Sequence, residues 1–349
     1  MGKEEKVILV SYFTLLLIGL VLMFELSELE GRLFHRQLAW AVLGITAMFW
    51  IWRADDGWIL DGKVVWMLYL LSIIFLVLVF TPIGMEINGS RRWIKVGPAG
   101  LQPSEFAKIL ILPLISWVLS RKGRGEGIGP AILGFSLVIP VVLLIEAEPD
   151  FGFAFLIILV FCAMSFAAGI GTKPLLGFAT AMVFIFSLSF LISGRIDRIF
   201  GFVNGTSYHV VQARTAVGSG GLEGWGIGDS WCKYHFIPYP YSDSIFSIIG
   251  EEFGFIGSMA IVLLYWLLSS AGFSIALMEE GERRILGVGI SFAIGVQAIL
   301  AMGIGCGVLP PKGLCLPLIS YGGSSLLSTS MGIGILLSIS RGLREWGTG

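Results

Sequence analysis

The chain has 349 residues, of which 56% are hydrophobic and 13% charged, with a formal net charge of −1 and a mean hydropathy of +0.87. That balance excludes an ordinary soluble domain and points to a polytopic membrane protein; a charge so near zero gives no footing for a nucleic-acid partner. Cys162, Cys232, Cys306 and Cys315 have no Cys-x-x-Cys spacing, and His35, His209 and His235 have no metal-ligand spacing, so neither an organic cofactor nor a dedicated metal cage is expected. A bridge among the last three cysteines stays open only in an oxidising compartment.

Lys3 and Lys6 precede an apolar run without a small-residue cleavage site, which reads as an uncleaved first span. Runs long enough to cross a bilayer, roughly 17–25 residues, fall at about 7–24, 36–52, 63–82, 104–120, 128–146, 151–170, 173–193, 244–270, 284–306 and 321–340. The fold class is therefore an all-α integral membrane bundle of about ten transmembrane helices, with a large extracytoplasmic loop before helix 8. No internal repeat or long linker divides it, so residues 1–349 form a single domain. Loops 84–103, 194–243 and 307–320 lie on the side opposite the termini.

The short connections on the side of the termini carry Arg121, Lys122, Arg124, Arg283, Arg284, Arg341 and Arg344, which marks that side as cytoplasmic. The outer side is nearly as basic, with Arg91, Arg92, Lys95, Arg195, Arg198, Arg214, Lys233 and Lys312 set among glycines, prolines and aromatics. Cations kept outside against the usual bias suggest an anionic ligand.

Three stretches carry candidate chemistry. In Gly89-Ser-Arg-Arg-Trp-Ile-Lys-Val-Gly97, Arg91 and Arg92 beside Trp93 are either interfacial anchors or paired donors to a pyrophosphate. Gln102-Pro-Ser-Glu105 reads as a helix start, and Glu105 shares a face with Lys108, as an intrahelical ion pair or as groups facing a cavity. In Glu148-Pro-Asp-Phe-Gly152, Asp150 either suits the positive end of a helix dipole or takes a direct catalytic role. The third stretch, 217–257, joins a glycine run to an apolar helix at Asp243. That aspartate is either an N-cap or a general base. Ser247, Gly250 and Gly254 lie beneath it, leaving close packing or a groove, while Glu251 and Glu252 read as structural, paired with a basic residue. Before the last span, Lys312 to Ser325 offers glycines for a tight turn and hydroxyls for exposed backbone.

Taken together, GSRRWIKVG, LQPSEFAK, EPDFG, AVGSGGLEGWGIGDS, YSDSIFSIIGEEFG and LPPKGLCLPLISYGGSSLL resemble, in this order over nearly the whole chain, the SEDS family (shape, elongation, division and sporulation proteins). The glycine run 224–230, Gly250-Glu-Glu252 and Lys312-Gly-Leu look more like its division branch than its elongation branch. The resemblance implies a peptidoglycan glycosyltransferase of the bacterial inner membrane, multi-pass, with both termini cytoplasmic. Such an enzyme polymerises lipid II with inversion at the sugar. Asp243 matches the family's essential aspartate and would be the base.

The candidate substrate-binding set is Arg91, Arg92, Lys95, Lys108 and Glu105, then Arg195, Arg198, Arg214 and Gln212, with Ser320 and Gly322. A divalent cation, Mg2+ or Mn2+, could share the leaving group. The implied partners are a class B penicillin-binding protein and other cell-division proteins. Two rivals stand beside this reading: a lipid II flippase, and a non-catalytic scaffold for the penicillin-binding protein. The chain departs from the family pattern near the aspartate. Pro238-Tyr-Pro-Tyr-Ser-Asp243 replaces Pro-Glu-Ala-His-Thr-Asp, Ser207-Tyr-His209 replaces Gly-Tyr-Gln, and Ala301 stands for a common Asn.

Overall fold

The computed structural model describes residues 1–28, 31–54, 56–87, 90–96, 99–121, 128–192, 202, 204–205 and 207–347. Each of the ten apolar runs is helical. The first three are α1 (Lys3–Leu26), α2 (Leu33–Arg53) and α3 (Gly62–Leu78). Asp61 starts α3 by accepting from the amides of Lys63 at 2.9 Å and Val64 at 3.4 Å. The fourth run is two helices, α4 (Pro103–Leu110) and α5 (Leu112–Ser120). Pro113 has no amide hydrogen to carry one helix through, so the chain restarts there. Then follow α6 (Gly129–Ala147), α7 (Phe151–Ala167) and α8 (Thr172–Ile192). Beyond them come α9 (Tyr208–Ser219) and the short α10 (Cys232–His235), between the α8 and α11 spans. The last three spans are α11 (Ile245–Met278), α12 (Gly281–Gly305) and α13 (Gly323–Gly347). Six of these spans are long and apolar enough to cross a membrane by length and composition.

The α4–α5 pair and α13 are the most enclosed spans, whereas α1 and α6 keep much of their surface outward. Helix α13 packs along α2 and α4, α11 along α12 and α1, and α12 along α7 and α5. Small and hydroxyl residues let α13 sit so deep. Ser324, Ser325, Ser328, Thr329 and Ser330 are all buried, and Tyr12 on α1 reaches Ser330 at 2.9 Å.

Two features depart from the expectation of helices and loops. The loop after α3 folds into a three-stranded antiparallel meander: β1 (Gly84–Ile87), β2 (Ser90–Val96) and β3 (Ala99–Leu101), with β2 in the middle. The second departure is a break in α11 at Gly254, whose φ of 64° and ψ of −162° are not helical. A break inside a span is tolerated only when the freed backbone groups find partners. Here the glycine-rich stretch supplies them: the amides of Trp225 and Gly226 donate to the carbonyls of Glu251 and Glu252, each at 3.0 Å. In return Phe255 and Ile256 donate to Gly221 at 3.0 Å and Leu222 at 3.1 Å. The contact needs glycine at Gly224 and Gly254, both at positive φ. A Cβ on either would press on the other strand's backbone.

Candidate functional site at the outer end of the bundle

Asp243 sits half-buried between the aromatic segment and α11. It is not the N-cap: the helix starts after Ser244, and that cap makes no side-chain bond. The carboxylate instead accepts from Ser242 Oγ at 3.1 Å. Burial pushes its pKa above the usual aspartate value, while bonds from Ser242, its own backbone and Ser244 and the charge of His209 pull the other way. A half-buried carboxyl with a raised pKa is the environment expected of a general base. The space beneath it is packed rather than open, since Ser247 Oγ bonds the Gly305 carbonyl at 2.7 Å and Gly250 abuts Val217.

Two main-chain contacts with the loop ahead of α13 hold the aspartate's segment. Tyr321 N donates to the Tyr241 carbonyl at 2.8 Å, and Ser320 Oγ donates to the Ser242 carbonyl at 2.7 Å. The Ser320 hydroxyl also accepts from Leu316 N at 2.8 Å. Tyr241 and Tyr321 meet edge to face, with centroids 5.7 Å apart, and Tyr239 sits edge-on to Tyr241. Buried Ser320 and its neighbour Tyr321 therefore frame this segment, while Gly322 donates its amide to Gln37 Oε1 at 3.4 Å.

The cations do not converge. Alternation along β2 sends Arg91 and Lys95 to solvent and Arg92 inward. Arg91 is half-exposed, 4.0 Å from Glu86 across the strand pair. Arg92 Nε donates to the Glu148 carbonyl at 3.0 Å, Nη2 to the Pro149 carbonyl, and Nη1 lies 3.8 Å from Asp150. Gln102 Nε2 adds a bond to Asp150 at 3.2 Å. Arg92 thus ties the sheet to the α6–α7 corner. Arg214 likewise donates from Nε at 3.1 Å and Nη2 at 2.9 Å to the Gly307 carbonyl. Gln212 is half-buried on the same helix. Arg195 and Arg198 lie outside the described residues.

Glu105 and Lys108 form a buried ion pair at 2.8 Å, with the two side chains 1% and 2% exposed. Gln297 on α12 completes the set, accepting from Lys108 Nζ at 2.5 Å and donating to the Cys315 carbonyl at 3.1 Å. Ser328 reaches Glu105 at 3.4 Å. This cluster lies within the helices beneath the outer loops and joins α4, α12 and α13.

The sequence pairs both Glu251 and Glu252 with a basic residue; in the structure the base meets Glu252, and Glu251 takes another role. Lys233 is that base: it bonds Glu252 at 3.0 Å, the Gly228 carbonyl at 2.6 Å, and Glu25 at the end of α1. Glu251 receives Ser230 Oγ and the amides of Trp231 at 3.2 Å and Cys232 at 3.3 Å, so it caps α10. Gln37 was also missed, although a lone amide in an apolar run is a signal for a buried partner. The four cysteines are unpaired. Among the described residues, no group of three or more His, Cys, Asp or Glu side chains is arranged to hold a metal ion.

Comparison with known proteins places this geometry. The family model described as cell cycle protein, FtsW/RodA/SpoVE, matches residues 6–345. Stage V sporulation protein E of Bacillus subtilis (strain 168) is 35% identical, over 97% of this chain and 98% of that protein. The probable peptidoglycan glycosyltransferase FtsW of Trichlorobacter lovleyi is 33% identical, over 99% and 95%. Among solved structures, the rod shape determining protein RodA of Thermus thermophilus superposes with a TM-score of 0.72 at 28% identity, over 96% of this chain and 95% of that one. A chain solved in work on the structural coordination of polymerization and crosslinking by a peptidoglycan synthase complex gives 0.81 at 26% identity, over 96% and 97%.

Proposed function

Because the chain belongs to the FtsW/RodA/SpoVE family of cell cycle proteins, we propose that it is a peptidoglycan glycosyltransferase that polymerises lipid II into glycan strands at the division septum. The observation that carries the reading is Asp243: a half-buried carboxylate with a raised pKa, in a segment fixed by Ser320 and Tyr321 at the outer mouth of the bundle. In this reaction Asp243 takes the proton of the acceptor sugar's C4 hydroxyl. That oxygen bonds to C1 of the donor sugar, and the C1–O bond to the lipid pyrophosphate breaks with inversion. The departing pyrophosphate gathers negative charge, and cations preorganised near it lower the barrier.

Arg91 and Lys95 are the exposed cations of the meander, and in this reading they meet the headgroup. Arg92 acts behind them, fixing the sheet to the α6–α7 corner. A divalent ion, Mg2+ or Mn2+, bound to the pyrophosphate would share its negative charge. The enzyme works in the bacterial inner membrane with both termini cytoplasmic. Its partners are a class B penicillin-binding protein, which supplies the crosslinking named for the structural relative, and other division proteins.

The test is polymerisation of fluorescent lipid II by purified protein with Mg2+ or Mn2+ and candidate penicillin-binding proteins, with Asp243→Asn beside wild type. Polymer from wild type and none from the folded variant is the expected result. Polymer from both removes the base assignment. Polymer from neither, with an active partner bound, turns the reading to a scaffold.

A further inference from the structure

Gln37 lies just inside the outer end of α2, is fully buried, and carries both amide functions to one backbone segment. Its Nε2 donates to the Ser320 carbonyl at 3.1 Å, and its Oε1 accepts from Gly322 N at 3.4 Å. The side chain thus pairs with residues two apart, as a neighbouring strand would. An uncharged amide suits this at any pH, since the contact needs one donor and one acceptor on the same planar group. The segment it holds then holds the aspartate: Ser320 Oγ bonds the Ser242 carbonyl at 2.7 Å and Tyr321 N bonds the Tyr241 carbonyl at 2.8 Å. Ser242 is bonded in turn to Asp243.

We propose that Gln37 is a positioning residue for Asp243, acting through the loop ahead of α13 to fix the carboxylate toward the acceptor hydroxyl. The inference rests on the reading of Asp243 as the general base. Asp243 needs such help because its own segment has little local structure. It follows Tyr239, a non-glycine residue at φ 52°, and precedes a helix whose cap makes no side-chain bond. Without the loop the carboxylate would wander, and a displacement of about 1 Å can cost on the order of 100-fold in rate. The titratable groups facing Asp243 are His209 on α9 and Cys315 on the loop itself.

The experiment compares wild type, Gln37→Leu, Gln37→Glu, Ser320→Ala, Ser320→Thr, the Gln37→Leu/Ser320→Ala pair and Asp243→Asn in lipid II polymerisation, with thermal unfolding of each. Expected for Gln37→Leu is a fall in kcat on the order of 10- to 100-fold with KM within about twofold. Gln37→Glu, which can both donate and accept only when protonated, should fall less. Ser320→Ala should lose about as much as Gln37→Leu, Ser320→Thr should recover most of it, and the pair should be no worse than either single variant, because both sever one chain of contacts. If Gln37→Leu does not fold, the Ser320 variants carry the same test. Activities of folded Gln37 and Ser320 variants within about twofold of wild type, or losses that multiply in the pair, would overturn the proposal. Asp243→Asn separates the two readings. If it polymerises, the base assignment falls. If it is dead while the Gln37 and Ser320 variants match wild type, only the positioning role falls.

Discussion

Glu148 and Asp150 stand two residues apart at the α6–α7 corner, yet their carboxyls meet different surroundings. Asp150 has Gln102 and Arg92. Glu148 is 0% exposed, and neither of its oxygens has a hydrogen-bond partner among the described residues. Burial first, and then the charge of Asp150, push its pKa from 4.5 to about 9, with Arg92 opposing. At neutral pH it is a carboxylic acid, which is how a protein avoids the cost of a lone buried charge. The sign of the linkage follows. The unfolded chain releases this proton near 4.5 and the folded one holds it to about 9, so stability falls as pH rises through that window. Glu148→Gln, an isostere of the protonated acid, removes the slope. Its thermal midpoint should match wild type at pH 5 and exceed it by roughly 2–4 °C or more at pH 8. An equal shift at both pH values would show that Glu148 is ionised in the fold.

At the scale of elements, the glycine stretch and the broken helix are one structure. Residues 220–226 lie against α11 by backbone alone, and Lys233, Glu251 and Glu252 fasten the following turn to α1 and α11. Comparing two glycines isolates the contact. Gly221 has φ 56° with no atom within 4 Å of a Cβ, whereas a Cβ at Gly224 would strike the Glu252 carbonyl and Gly254 N. Gly221→Ala should cost about 1–2 kcal/mol, the price of a left-handed alanine. Gly224→Ala should cost more, because it also parts backbone pairs at membrane depth. Hydrogen exchange read by mass spectrometry should then rise at Phe255 and Ile256 in Gly224→Ala and stay unchanged in Gly221→Ala. Equal exchange in both variants would mean that the insert does not seal the break.

The helices were legible because each span must be apolar for its whole length, and that constraint writes itself into every residue. The Glu105–Lys108 pair was legible through its spacing, and the start of α4 through Pro103. The break at Gly254 was not, since the apolar pattern runs through it unchanged and the repair comes from backbone some thirty residues upstream. The meander left a signal that went unread: Arg91, Trp93 and Lys95 alternate with Arg92, Ile94 and Val96 between glycines, which is strand periodicity. Reading it would have separated Arg92 from the outward cations. The place of Asp243 before an apolar run was legible, while its frame was not, because Ser320, Tyr321 and Gln37 bond to main-chain atoms of distant segments, which side-chain identity does not reveal.

For the whole molecule, charge counting alone leaves the orientation nearly balanced, and the structure adds what each cation touches. Of the outer cations, Arg92, Arg214 and Lys233 are taken up by carbonyls and carboxylates at that end of the bundle. Exposed Arg91 has Glu86 across the strand. These cations are tied to structure, so they weigh less in the bias that orients short loops. At the opposite end Arg341 caps α2 through the carbonyls of Arg53 and Ala54, and Arg121 lies 3.4 Å over the Trp117 ring, as an interfacial residue does. On this argument we propose that the end bearing Asp243 is the translocated one. In a chain with its four cysteines replaced by alanine, Lys95→Cys should react with a membrane-impermeant maleimide in intact spheroplasts. Glu280→Cys, exposed ahead of α12, should react only after the membrane is opened. The reverse pattern would put Asp243 in the cytoplasm and end its role in polymerising strands on the outer face.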